Sequence, residues 1–256
     1  MSNQQQMSFL QHLDELRWRL VRIAIAVLLV GVVIWVYQEW IMNHLFLALK
    51  DHDFITFRLL CTYFGICVSD TTVKMQSMTV SGQFNYAMMM SIMGGLIVSS
   101  PFIFYQFWRF ISPGLYKKEK KLILFSFVSG FVLFFIGMAF AYYLIFPIVF
   151  NFFILMTPSN VSLMIDISNY LDLILSLLIS FGLAFEVPVI ILILVTLGWV
   201  KVKKLEEARP YMIVIAFIIS AILTPPDVIS QFCLAIPLCF LYELGLFASK
   251  RINLKA

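Results

Sequence analysis

The chain has 256 residues, 62% of them hydrophobic and only 12% charged, with four cysteines and a formal net charge of +4. Soluble domains sit near roughly 45–50% apolar and about 25% charged, so this composition, with a mean hydropathy of +0.96, excludes a soluble enzyme or a basic nucleic-acid-binding domain. An integral membrane protein is expected, and because its apolar stretches lack a two-residue alternation, one built of helices rather than a barrel.

Residues 1–22 read as an amphipathic helix running into the first span. Phe9, Leu13, Leu16 and Leu20 recur at helical spacing, and His12, Glu15, Arg19 and Arg22 form the opposite stripe. Such a helix is expected to lie along the membrane surface. No short apolar core ends in small residues here, so a cleaved signal peptide is not expected, and Ile23–Tyr37 would serve as an uncleaved anchor. Five further spans follow: Phe84–Ile111, Leu122–Phe146, Leu171–Leu197, Tyr211–Leu223 and Val228–Phe247. The reading is therefore residues 1–22 as a surface helix, 23–248 as a six-helix all-α transmembrane domain and 249–256 as a tail.

The segments 1–22, 109–121, 198–210 and 249–256 fall on one side of the membrane and hold fifteen of the eighteen Lys and Arg residues. The positive-inside rule then places both termini in the cytoplasm. Most of these cations need only topology and contact with anionic membrane lipids to account for them.

The longest outside loop, 43–82, has an apolar stretch from Phe54 to Phe64 that would pack as a cap. Cys61 and Cys67 fall in it; in an oxidising compartment they could pair, and otherwise they stand as free thiols or serve an unrelated role. Pro101 breaks or kinks the second span, either as a simple packing kink or to open a groove. The second outside segment, 147–170, begins at Pro147 and is expected to include a short helix or turn. Cys233 and Cys239 read as small apolar residues of the last span. The fifth span is short: Tyr211–Leu223 rises about 20 Å against about 30 Å of hydrocarbon. With the sixth it makes a short hairpin, which thins the bilayer or packs on partners, unless flanking side chains merely snorkel.

Three acids stand out. Glu186 lies near the middle of the fourth span, where a carboxylate costs about 2.5–3.5 kcal/mol on insertion scales. It either bonds its own helix backbone near Pro188 or receives a polar group or proton from elsewhere. Glu15 has Arg19 four residues on, the favourable orientation of a helical ion pair. Glu119 sits among four lysines at a helix start, where the dipole favours acid. Together, Glu15 and Glu119 could hold a ligand with paired guanidiniums, since the planar guanidinium forks onto carboxylates. The sequence contains no HExxH, GxSxG, GxGD or P-loop pattern, and His12, His44 and His52 lack metal-ligand spacing. No enzyme activity, metal or cofactor is expected.

Five motifs carry a resemblance across nearly the whole chain: HLDELRWRL (12–20), SPFIFYQFWRFISPGLYKKEKK (100–121), GMAFAYYLIFP (137–147), FGLAFEVPV (181–189) and ARPYMIVIAFIISAILTPPDVISQ (208–231). In these the chain resembles TatC, the multi-span receptor subunit of the twin-arginine translocase of the bacterial inner membrane. The resemblance implies binding of twin-arginine signal peptides of folded proteins, work with the single-span partners TatA and TatB, self-association, and export driven by the proton-motive force. It implies that Glu15, Arg17, Phe110 and Glu119 form the signal-peptide site. It implies that Glu186 faces a concave membrane groove and a polar group of a partner helix, that Thr224 and Gln231 serve partner docking, and that Asp227 is the outside acid of TPPD. Two features depart from the family: Ala48 stands where a proline is usual, and the first outside loop is enlarged. The competing readings are a proton-coupled transporter of a small solute working through Glu186, although such a transporter should bury several polar groups near the midplane, and a structural assembly factor that binds no peptide.

Overall fold

The computed structural model describes residues 9–47, 74–77, 79–112, 117–157, 164–224 and 227–253. Within them the chain is almost wholly helical. Five helices are long and apolar enough to cross a membrane, and a sixth apolar helix, Arg209–Leu223, is shorter. The expectations for Cys61, Cys67, His52, Ala48 and the stretch 54–64 lie outside the described residues.

Helix α1 (Phe9–Val36) is one unbroken helix of 28 residues, so its polar first turns continue directly into the apolar span. It lies along α3 (Gly82–Ile111), the most extensive helix pairing in the fold. Small residues allow this: a Cβ on Gly95 would stand 2.8 Å from the Val27 carbonyl, and one on Gly31 would stand 3.0 Å from that of Ser91. Between helices in lipid, such close backbone approach supplies the packing that a hydrophobic driving force cannot. Pro101 lies inside α3 without interrupting it. After α1 the chain makes a short helix, α2 (Gln38–Ile41), and a π-helical turn, Met42–Phe46.

The third span begins as α4 (Lys117–Phe140), passes through a π-helical turn at Ala141–Ile145 and continues as α5 (Phe146–Leu155). The sequence places the end of this span at Phe146 and Pro147 in the loop, whereas the helix runs nine residues further, to Leu155. Pro147 falls at the start of α5, directly after the wider turn, where a missing N–H is tolerated.

Helix α6 (Ile167–Ala184) is the centre of the bundle, with Leu171, Leu177 and Phe181 fully buried. Its Tyr170 donates a hydrogen bond of 2.8 Å to the Phe46 carbonyl and packs edge-on to Phe146 and Phe150 at 5.5 Å each. A further element absent from the sequence reading closes this end: β1 (Lys74–Gln76) and β2 (Met164–Asp166) pair in parallel, Met75 opposite Ile165.

The fourth span is broken. A turn at Phe185 and Glu186 separates α6 from α7 (Val187–Thr196). A short helix, α8 (Val202–Glu207), leads into α9 (Arg209–Leu223), and α10 (Val228–Asn253) returns antiparallel. The shortness of this hairpin resides in α9, whose 15 residues span about 22 Å; α10 has 26. Large apolar side chains stay exposed along the outer helix faces, among them Leu28, Val32, Ile218 and Ile222, as befits helices whose solvent is lipid.

Candidate functional site

At one end of the bundle, the first turns of α1 meet the last turns of α3. The last four carbonyls of a helix have no intrahelical partner, and a cation there is favoured by the helix dipole. Arg19 of α1 supplies that cation to α3. Its residue exposure is only 7%, and its guanidinium is shared among three acceptors. Nε and Nη2 both donate to Glu15 Oε1, the former at 3.0 Å; Nη1 donates to Gln106 Oε1 at 3.1 Å; Nη2 also donates to the Arg109 carbonyl at 3.3 Å. The pair expected as a helical ion pair within α1 is therefore part of a bridge between two helices, with its arginine buried and its carboxylate half-buried.

The His12 ring stacks on Phe110, centroids 4.2 Å apart and planes at 13°. Its Nδ1 lies 4.0 Å from Glu15 Oε2. That carboxylate oxygen is buried and has no hydrogen-bond partner among the described residues. Glu15 thus presents one oxygen committed to Arg19 and one uncommitted, beside an aromatic pair.

Of the four residues expected to bind a signal peptide, the structure brings Glu15 and Phe110 together through His12. Arg17, two residues from Glu15 and so on another face of α1, is exposed. Glu119 belongs to the first turn of α4, but its side chain lies outside the described residues. Gln106 is not among the site residues expected from the sequence. The available signal was slight: an uncharged polar residue one turn before Phe110, near the end of an apolar span.

Glu186 occupies the break in the fourth span. Phe185 N–H bonds the Phe181 carbonyl at 3.0 Å and Glu186 N–H bonds that of Leu183 at 3.1 Å, while Pro188 has no N–H to offer Ala184. Glu186 Oε1 is buried with no partner among the described residues. A Cβ on Gly130 of α4 would stand 2.7 Å from Glu186 Oε2, so the absent side chain there is what leaves room for the carboxylate.

The opposite end of the hairpin holds the remaining polar residues. Thr224 is buried and its hydroxyl donates to the Ser220 carbonyl at 2.8 Å. Gln231 Nε2 ties α10 to α9 through the Phe217 carbonyl at 3.2 Å. Asp227 caps α10, its Oδ1 accepting the Ser230 N–H at 2.7 Å. Ser180 Oγ donates to the Leu223 carbonyl at 3.0 Å and joins the hairpin to α6. At the other end, Arg209 grips both oxygens of Glu243 at 2.9 Å. Glu206 pairs with Lys250, whose hydrogen bond holds the Glu206 carboxyl below its ordinary range.

Among the described residues, no group of three or more His, Cys, Asp or Glu is placed to hold a metal ion. The chemistry on offer is recognition of cations and hydrogen-bond donors by carboxylates.

The family model described as Sec-independent protein translocase protein (TatC) matches residues 11–237. A TatC of Haemophilus influenzae is 40% identical over 93% of this chain and 87% of its own length. A TatC of Halothiobacillus neapolitanus is 40% identical over 94% of this chain, which spans only 62% of that relative's length. A crystal structure of the twin arginine translocase receptor TatC superposes with a TM-score of 0.78 at 31% identity, covering 94% of this chain and 99% of that one.

Proposed function

The chain belongs to the TatC family of Sec-independent protein translocase proteins and is a multi-pass bacterial membrane protein; from that premise we propose that it is the translocase's receptor for twin-arginine signal peptides. The peptide is bound at the cytoplasmic face by Glu15 and Glu119, with Phe110 alongside and Arg17 flanking. Both termini lie in the cytoplasm, on the side that collects fifteen of eighteen basic residues. Single-span TatA and TatB-like partners dock on a concave membrane face through Glu186, Thr224 and Gln231, and the proton-motive force drives export of the folded cargo.

One observation carries the peptide-binding part of this reading. The carboxylate of Glu15 is held in place by a buried arginine, yet its second oxygen has no hydrogen-bond partner among the described residues and lies 4.0 Å from His12 Nδ1, beside the His12–Phe110 stack. A second acid, Glu119, begins α4 next along the chain. Two carboxylates suit two guanidiniums, each charge-assisted bond contributing about 1.5–3 kcal/mol.

The test is binding of a labelled signal peptide to the full chain in lipid nanodiscs, comparing an Arg-Arg peptide with its Lys-Lys version. The Arg-Arg form is expected to bind about tenfold or more tightly, and Glu119→Ala to remove that preference. Equal binding of the two peptides to wild type would overturn the reading.

A further inference from the structure

The geometry points to Gln106 as a positioning residue that lets Glu15 change partners. With the Arg109 carbonyl, it keeps hold of the Arg19 guanidinium when Glu15 is given up to an incoming guanidinium. This rests on the peptide-receptor reading and adds to it how the receptor acid becomes available.

The difficulty that Gln106 resolves is internal competition. Glu15 is already paired with an arginine of its own helix, one turn away. An incoming arginine must share or displace that partner. If Glu15 were the sole acceptor for Arg19, its departure would leave a buried cation uncompensated, which is strongly unfavourable. Glu15 would then be locked.

Arg19 is not confined to that pair. Its five N–H donors are spread so that Nη1 meets Gln106 Oε1 at 3.1 Å and Nη2 meets the Arg109 carbonyl at 3.3 Å. Both acceptors belong to α3, and Gln106 is 4% exposed. When Glu15 leaves, each terminal nitrogen retains an acceptor on the rigid end of another helix. A neutral amide suits this role: it satisfies the guanidinium without competing fully against Glu15 for its charge. An acid at this position would pull Arg19 away altogether, and an apolar residue would leave Glu15 as its one side-chain acceptor among the described residues. Glu15 Oε2, which has no hydrogen-bond partner among the described residues, is the atom such an exchange would bring into use.

Two substitutions therefore act in opposite directions. Gln106→Leu binds Glu15 more closely to Arg19, so affinity for the Arg-Arg peptide falls about tenfold and the Arg-Arg over Lys-Lys preference shrinks. Gln106→Glu takes Arg19 onto α3 and frees Glu15, so affinity for the Arg-Arg peptide rises above wild type by several-fold. The measurement is peptide titration on the full chain in nanodiscs, with thermal unfolding run on each variant. Opposite shifts support the assignment. Unchanged binding in both variants, or parallel weakening in both, would overturn it, since a merely structural Gln106 predicts the latter. If wild type itself does not distinguish the two peptides, the receptor reading fails instead.

Discussion

Arg19→Leu is expected to destabilise the isolated protein by about 3 kcal/mol, the lower part of the range for removing one member of a buried charged pair. The value is set at the low end because the Glu15 side chain keeps 23% of its exposure and part of its charge is solvated once Arg19 is gone. The loss has three sources. Glu15 Oε1 and Gln106 Oε1 lose their donor, the Arg109 carbonyl loses one too, and the packing of the arginine stem between α1 and α3 changes. Arg19→Lys should recover only part of this, since an ammonium cannot present the same planar fork to acceptors on two helices. Unfolding in detergent by increasing SDS gives the measurement. A loss below about 0.5 kcal/mol, the size expected of an exposed helical ion pair, would show that the bridge does not hold the two helices together.

The second large effect has the opposite sign. Glu186→Met is expected to stabilise the isolated chain by about 2 kcal/mol, because it removes a buried carboxyl oxygen that no described group satisfies. Methionine matches the length of the glutamate and bends into the space beside Gly130. The same substitution should abolish any preference for a single-span peptide carrying Gln in its membrane segment over the Leu version. Greater stability together with lost selectivity is the signature of a group kept for a partner at a cost to the fold. Reduced stability in Glu186→Met would mean that the carboxyl is satisfied within the chain.

How far the sequence reaches can be followed in these same residues. Hydropathy and the distribution of lysine and arginine place six apolar segments without tertiary information, and the limited length of α9 can be counted directly. Asp227 as a helix cap emerges only from the structure, since in the sequence it reads as the acid of the TPPD turn. Burial of Arg19 cannot be read this way. Its local neighbour Glu15 offers a complete and bland explanation, whereas its decisive partner Gln106 is 87 residues away. The end of the third span is hard to read because Pro147 is a strong local breaker, whereas here it falls at the start of α5, directly after a π-helical turn. The pairing of β1 with β2 rests on three-residue strands too short to carry a pattern. For Glu186, the cost of its charge was legible, but the room made for it by Gly130, on a different helix, was not.

On the receptor reading, paired arginines are recognised where α1 meets the end of α3. A photo-crosslinker placed beside the Arg-Arg pair of a signal peptide tests it most directly, with the full chain in nanodiscs and adducts mapped by mass spectrometry. Adducts are expected in residues 9–19 of α1 and in 106–121, and Glu15→Ala should diminish them. Adducts confined to the turn around Glu186, or spread evenly over the lipid-facing helices, would rule out recognition at this end of α1 and α3.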